Sequence, residues 1–191
     1  MSFDEAVVHC GAPALCGIKP SCLFSVHRKM YEKMKVREWS SEFKKDGRYI
    51  IALPKENERM LLFVYDKHLL EKQCTPCCVR KYLKRKRYPV ESGFNAVLAE
   101  LLHRLSAEQN FPHEVGVFLG YPLEDVKAFE RTSGKACRYS GFWKVYGDID
   151  TAQKRMNVYK ACSVQCSELV RNGMAVPAAA KEYMAAIYRS Y

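Results

Sequence analysis

The sequence of 191 residues lacks a long apolar run, because no stretch approaches the ~20 consecutive apolar residues that a membrane-spanning helix needs. It also lacks a secretory leader, since the opening segment MSFDEAVVHC is acidic and has neither a basic start nor a long apolar core. No internal repeat or low-complexity tract is present, which excludes repeat architectures and disfavours disorder. These absences predict a folded protein that resides in the cytoplasm and does not bind a membrane.

Cysteine, in contrast, is abundant, with nine residues in the chain. A disulfide framework is typical of short secreted chains with an even number of cysteines. Here the number is odd and no export signal is visible. We therefore expect reduced thiols, some of which can take catalytic or metal-binding roles.

The net charge of +10 is concentrated in two segments, residues 27–45 and residues 80–87. The second segment predicts an anionic partner such as nucleic acid, because clustered basic side chains bind phosphates in a salt-dependent manner. Tyr82 and Tyr88 are the predicted stacking groups. No zinc-finger spacing, RNP sequence or glycine-rich phosphate loop accompanies the run, so a solvated helix face is the alternative. The predicted anion-binding residues are Arg80, Lys81, Lys84, Arg85, Lys86 and Arg87.

Apolar periodicity predicts helices alternating in part with short strands. Helices are predicted over residues 20–38, over 92–108 with Ser92 as N-cap, after Pro122, from Asp148 or Asp150 to near Gly173, and from Pro177 onwards. Strands are predicted over 49–53, 60–65, 115–120 and 141–147, the first two as antiparallel neighbours. A helix after Asp66 completes the pattern. The fold class expected is therefore α+β, a small mainly antiparallel sheet packed with several helices, in a single domain spanning residues 1–191.

The first hypothesis for function is a thiol enzyme. A helix beginning near Gly11 or Pro13 would lower the pKa of Cys10 and make it a nucleophile. His113, at the entrance of a predicted strand, would act as general base, with Glu114 or Asp148 as its orienting carboxylate. Papain-like and NlpC/P60-like thiol hydrolases use this layout for acyl transfer and amide hydrolysis. The alternative is a Cys10 that is merely packed in the protein interior.

A second hypothesis is a metal- or cofactor-binding or redox-partner module. The segment Cys74-Thr75-Pro76-Cys77-Cys78 contains a C-x-x-C step, which lets two thiolates reach one metal ion. A closed zinc site needs further ligands, which would have to come from elsewhere in the chain. The candidates are Cys10, Cys16, Cys22 and His9, of which His9 joins Cys74, Cys77 and Cys78 in the predicted set. Cys162 and Cys166 lie four residues apart on one predicted helix face, and we interpret them as core packing.

Three segments carry a resemblance to a known family. They read HCGAPALCGIKP at 9–20, FPHEVGVFLGYPLEDV at 111–126 and WKVYGD at 143–148. They resemble an uncharacterised bacterial family classed as a domain of unknown function. The resemblance implies a stand-alone intracellular bacterial protein and supplies no activity, cofactor or catalytic residue. We expect segments 9–20 and 111–122 to form one pocket for a small molecule or protein partner whose chemistry the sequence leaves open.

Overall fold

The computed structural model describes residues 1–56, 58–107 and 112–189. The predicted helix end at 108 and the first residue of the 111–126 motif lie outside these ranges. In the first half of the chain the elements are α1 (Phe3–Leu15), β1 (Ser21–His27), α2 (Lys33–Lys44), β2 (Arg48–Lys55), β3 (Arg59–Asp66), α3 (Lys67–Cys74) and α4 (Cys77–Arg85). They continue with α5 (Phe94–Ala107), α6 (Val115–Phe118), α7 (Leu123–Thr132), β4 (Tyr139–Ser140), β5 (Lys144–Val145), α8 (Ile149–Arg171) and α9 (Val176–Arg189). The predicted α+β class is confirmed.

The chain divides into two compact units. Unit 1 comprises Met1–Leu69 and Asn157–Tyr191, and unit 2 comprises Leu70–Met156. Each unit is described below by itself. That the whole chain forms one domain stays a prediction.

Unit 1 is built on a three-stranded antiparallel sheet in the order β1-β3-β2. The central strand β3 is buried from Met60 to Asp66, which explains its continuously apolar sequence up to Tyr65. Tyr65 lies opposite Tyr49 of β2, so the predicted antiparallel pairing of segments 49–53 and 60–65 is confirmed. Asp66 then accepts a hydrogen bond from the backbone N–H of Leu69 at 2.9 Å and begins α3, also as predicted.

The helix predicted over residues 20–38 is wrong in its first half, where the chain forms β1. This strand pairs with β3 from Ser21 opposite Tyr65 to His27 opposite Arg59. The apolar spacing fits a helix, but β3 has a second edge whose backbone groups need partners, and Phe24 is a favourable strand residue. The cross-strand pairing therefore overrides the helical periodicity, and α2 begins only at Lys33.

The start of α1 also differs from its prediction. The helix begins at Phe3, because Ser2 and Glu5 form a capping box in which each side chain accepts a hydrogen bond from the other's backbone N–H, at 3.2 and 2.7 Å. It ends at Leu15. Gly17, with a φ of +66°, and Ile18 donate backbone hydrogen bonds to Ala14 and Pro13, which form a Schellman motif. The expected helix start near Gly11 or Pro13 is therefore wrong, and Cys10 lies in the middle of α1.

In unit 2, the buried strand predicted over residues 115–120 is instead the short helix α6. Its burial was predicted correctly, since Val115 to Phe118 are all buried. A short apolar run does not distinguish a strand from a buried helical turn. Gly120, with a φ of +78°, ends the helix, and the N–H of Tyr121 donates to the carbonyl of Gly116 at 2.9 Å. This cap turns the chain toward α7.

The strand predicted over residues 141–147 is replaced by a hairpin. β4 and β5 pair over two residues each, and residues 141–143 form the connection. The Nε1–H of Trp143 donates to buried Asp125 at 2.9 Å, which holds this turn against α7. Gly141, Phe142 and Trp143 are therefore a turn, and only Lys144 and Val145 are strand.

The other predicted helices are confirmed as α5, α7, α8 and α9, with ends a few residues from those expected. Ser92 is not the residue next to α5, because Gly93 stands between them with a φ of +88°. Within the described ranges, none of the helices combines the length and apolar character needed to cross a bilayer.

Candidate functional site

Cys10 does not have the environment predicted for a nucleophile. Its position in the middle of α1 keeps it away from the unpaired N–H groups at the helix start. Partial burial of its sulfur, with a smaller contribution from the nearby Cys22 thiol, raises the pKa of Cys10. The prediction that a helix N-terminus lowers the pKa of Cys10 is therefore wrong.

His113 and Glu114 have separate surroundings in unit 2. The His113 ring is exposed and lies edge-on to the Phe129 ring, with centroids 5.2 Å apart. Buried Glu114 forms an ion pair with Arg104 at 2.9 Å and accepts a hydrogen bond from the Tyr88 hydroxyl at 3.3 Å. The carboxylate of Glu114 thus has structural partners of its own.

Cys10 belongs to unit 1 and His113 to unit 2, so neither unit contains both members of the predicted dyad. Their pairing in a thiol enzyme stays a prediction.

Asp148 caps a helix. Its carboxylate accepts hydrogen bonds from the Thr151 hydroxyl at 2.6 Å and the Thr151 backbone N–H at 3.1 Å, at the start of α8. These two bonds, in that order, lower the pKa of Asp148. The bond from the backbone satisfies one of the unpaired N–H groups at the helix N-terminus, and this capping explains why α8 begins here.

The substitution Asp148→Asn is expected to reduce the loss of stability in acid. Because the pKa is lower in the folded protein, the carboxylate stabilises the fold above its unfolded pKa of about 3.9. That contribution disappears as the pH falls through the lower folded value. Circular dichroism should therefore show a smaller difference in unfolding free energy between neutral and acidic pH for D148N than for the wild type. The exposed control Asp150→Asn should behave as wild type, and an unchanged acid profile for D148N would contradict this role.

The cysteines predicted to hold a metal lie at the junction of two helices. Cys74 ends α3 and Cys77 begins α4, and Cys77 and Cys78 are exposed. Burial, with a smaller effect of Glu71, raises the pKa of Cys74 to about 12. His9 lies in unit 1, whereas the three cysteines lie in unit 2. Metal binding by this set stays a prediction.

A different cysteine group does converge. Among the described residues, the ligand atoms of Cys16, Cys162 and Cys166 all lie within 4.8 Å of one another, and all three residues are buried in unit 1. The sequence interpretation assigned Cys162 and Cys166 to packing and missed their approach to Cys16. The only signal in the sequence was the four-residue spacing on one helix face.

Several charges of the basic run 80–87 are paired within unit 2. Arg80 and Lys84 approach Glu91 at 3.4 and 2.9 Å, and Lys86 approaches Glu130 at 2.8 Å. The run occupies α4 and the residues that follow it. An anionic partner at this surface stays a prediction.

The tyrosines predicted to stack on bases are buried. The Tyr82 hydroxyl donates to Glu130 at 2.7 Å, and the Tyr88 hydroxyl donates to Glu114 at 3.3 Å. Burial and the neighbouring carboxylates raise both tyrosine pKa values. The prediction that Tyr82 and Tyr88 stack on bases is therefore wrong, because their rings are buried in the protein.

Unit 2 contains a cavity of about 380 Å³ between α6, α7 and the β4–β5 hairpin. Its wall is largely apolar, and the rings of Tyr121 and Trp143 stack beside it with centroids 5.1 Å apart. The side chains that form most of this wall are Val115, Leu119, Tyr121, Val126, Phe129 and Trp143. A mostly apolar cleft or cavity with a few polar groups is the usual form of a small-molecule site.

A buried carboxylate holds the aromatic wall in place. Asp125, only 4% exposed, accepts the Trp143 Nε1–H at 2.9 Å through one oxygen. Its other oxygen accepts the backbone N–H groups of Tyr146 at 2.9 Å and Gly147 at 3.0 Å. Both carboxylate oxygens are thus occupied, and α7 is tied to the hairpin.

Two basic side chains of the lining each lie beside the Phe129 ring. His113 lies edge-on to this ring, and the Lys144 Nζ lies 5.8 Å from its centroid. Lys144 donates one hydrogen bond to the carbonyl of Gly134 at 2.6 Å, which leaves two of its three donors. Within the described ranges, the His113 ring nitrogens have no hydrogen-bond partner. The lining beside Phe129 is therefore suited to an acceptor group.

The cavity coincides partly with the pocket predicted from the sequence. Segment 111–122 contributes His113, Val115 and Tyr121, and the WKVYGD motif contributes Trp143 and Lys144. The aromatic wall was missed because Tyr121 stacks on Trp143, which lies in the connection of an unrecognised hairpin. Segment 9–20 belongs to unit 1, so a pocket shared by the two segments stays a prediction.

The fold and this cavity define an α+β protein with a largely apolar, partly aromatic cavity in one of its two units. A family model described as "Protein of unknown function (DUF3793)" matches residues 7–179. The chain belongs to this family, which confirms the resemblance noted in the sequence. No curated protein and no solved structure matches the chain. Its molecular function is therefore unknown, and the family match carries no activity to it.

Proposed function

We propose that unit 2 is a binding module for a small, flat, apolar carboxylic acid. The observation that carries this proposal is an aromatic cavity whose lining includes two basic side chains, His113 and Lys144, each beside the Phe129 ring. The stacked pair of Tyr121 and Trp143 favours a planar ligand, because aromatic rings gain both buried area and favourable ring geometry.

The sign of the ligand charge follows from the lining. Asp125, the acidic residue of the lining, directs both oxygens to protein donors and is not available to a cation. Lys144 retains two donors, and His113 can supply another. A carboxylate is the acceptor that gains most from an ammonium donor, because charge-assisted hydrogen bonds are roughly twice as strong as neutral ones.

Replacing Lys144 by methionine is expected to weaken binding of a flat acid by about 10- to 100-fold, because a hydrogen bond to a charged group contributes about 1.5–3 kcal/mol. The probe is 2-naphthoate, and the reporter is the fluorescence of Trp143. Trp39→Phe leaves Trp143 as the sole tryptophan, since the chain has two. Titration of this background with and without K144M gives the two affinities.

Two controls separate charge from shape. The neutral probe 2-naphthalenemethanol should bind K144M and its background equally, because it uses the aromatic wall alone. The variant Lys135→Met, at an exposed position outside the lining, should leave 2-naphthoate binding unchanged. Equal loss of both probes in K144M, or no binding of 2-naphthoate to the background, would contradict the proposal.

We further propose that the protein works in the bacterial cytoplasm. Support comes from its nine cysteines, all of which are unpaired although Cys16 and Cys166 have sulfur atoms 3.7 Å apart. A reducing compartment keeps such thiols reduced.

A further inference from the structure

Three buried cysteines meet in unit 1. Cys16 caps the C-terminus of α1, and Cys162 and Cys166 lie one turn apart on α8. The Sγ atoms of Cys16 and Cys166 are 3.7 Å apart, and all three sulfurs lie within 4.8 Å of one another. Their residues are 0%, 0% and 1% exposed.

These separations suit coordination of one metal ion. With metal–sulfur bonds of about 2.3 Å, sulfurs around a trigonal or tetrahedral ion lie roughly 3.8–4.0 Å apart. The sulfur atoms of Cys16 and Cys166 are already close to this distance. The other two sulfur–sulfur separations are at most 4.8 Å. Binding therefore needs only side-chain adjustment.

The number and type of ligands select among metals. The group consists of three sulfurs, and no histidine, aspartate or glutamate among the described residues joins it. Structural zinc sites have four ligands, whereas a buried site of three thiolates suits a soft ion that accepts three-coordination. Monovalent copper is such an ion.

Positive charge lies near the cluster. A Cβ at Gly17, directly after Cys16, would lie 2.7 Å from the Arg48 guanidinium, so the absence of a side chain there lets Arg48 pack closely. The Lys19 ammonium lies 5.6 Å from the centroid of the Tyr159 ring, which precedes Cys162 by three residues on α8. Three thiolates and one Cu(I) leave a negative site. Arg48 offsets that charge only in part, because it also forms an ion pair with Asp66 at 3.5 Å.

We propose that Cys16, Cys162 and Cys166 bind one Cu(I) ion through their three sulfur atoms. Each S–H bond that is replaced by a Cu–S bond releases its proton to the solvent, and copper remains monovalent throughout. The three cysteines belong to unit 1 and the lining of the proposed acid pocket belongs to unit 2. The failure of one proposal therefore leaves the other unaffected.

The test is anaerobic titration of the reduced full-length chain with Cu(I) against the chelator bathocuproine disulfonate. A background with Cys10→Ser, Cys77→Ser and Cys78→Ser removes the exposed thiols that would compete. The background should bind one Cu(I), and X-ray absorption should give three sulfur neighbours. Adding Cys166→Ser should lower the affinity at least about 100-fold, since even the loss of an outer partner of a metal ligand costs 10- to 100-fold.

The matched control is Cys22→Ser, a buried cysteine of unit 1 outside the cluster, which should keep copper binding intact. Cys162→Ser serves as a second cluster variant if C166S does not fold, and X-ray absorption of the background requires no cluster variant at all. The proposal would be overturned by four sulfur neighbours, by preferential binding of zinc, by equal losses in C22S and the cluster variants, or by no copper bound at one equivalent.

Discussion

Replacing Asp125 by alanine is expected to lower the free energy of unfolding of unit 2 by about 3–5 kcal/mol. The carboxylate is buried and accepts three hydrogen bonds, from the Trp143 indole and from the backbone N–H groups of Tyr146 and Gly147. Removing it leaves the buried Trp143 indole N–H and the half-buried Tyr146 N–H without their partner and opens a small void between α7 and the hairpin. Urea unfolding followed by Trp143 fluorescence in the Trp39→Phe background measures the loss.

The neighbouring Glu124 provides the matched control. It is also an acid in the first turn of α7, but it is exposed and pairs only with Lys127 at the surface. Glu124→Ala should therefore change stability by less than about 1 kcal/mol. A loss for D125A no larger than that of E124A would show that Asp125 does not anchor the aromatic wall.

Replacing Arg104 by methionine is expected to lower the free energy of unfolding of unit 2 by about 3–5 kcal/mol as well. The guanidinium donates to Glu114 at 2.9 Å, to Glu100 at 2.7 Å and to the carbonyl of Lys86 at 2.9 Å. It also lies 4.2 Å from the centroid of the Tyr88 ring. Without Arg104, Glu114 keeps a buried negative charge opposed only by the Tyr88 hydroxyl.

A double variant tests whether the unpaired charge causes the loss. Adding Glu114→Gln to R104M should restore part of the unfolding free energy, because the buried group is then neutral. The exposed Arg131→Met serves as the control for removal of a positive charge from unit 2. If E114Q in the R104M background lowers stability further, the ion pair is not the reason for the effect.

The sequence predicted those elements whose signals are local. The apolar runs of β2 and β3, bounded by turn residues, gave the correct pairing, and the leucine stripe of α5 gave the correct helix. The start of α1 was also readable, because Ser2 and Glu5 have the spacing of a capping box. That signal was overlooked in favour of a helix start beside Cys10.

The errors lie where tertiary partners decide the conformation. β1 exists because β3 has a second edge, which the segment itself does not encode. Val115–Phe118 is equally apolar as a strand or as a helical turn, and the cap at Gly120 decides for the helix. The aromatic pocket depends on the hydrogen bond between Asp125 and Trp143, two residues 18 positions apart. No periodicity in the sequence indicates such a contact.

The cysteines also show that the sequence does not reveal contacts between distant segments. Spacing favoured the C-x-x-C segment at 74–78, whereas the sulfurs that converge come from Cys16, Cys162 and Cys166. Cys16 and Cys166 are 150 positions apart in the sequence. Spacing within a chain identifies only those ligands that are close in sequence.

The measurement that tests the proposed function most directly is an NMR experiment on the full chain with bound 2-naphthoate. The account predicts intermolecular nuclear Overhauser effects from the ligand ring to the indole of Trp143 and to the methyl groups of Val115, with the K144M variant losing them at the same ligand concentration. Ligand contacts confined to other parts of the chain, or contacts that K144M leaves unchanged, would contradict it.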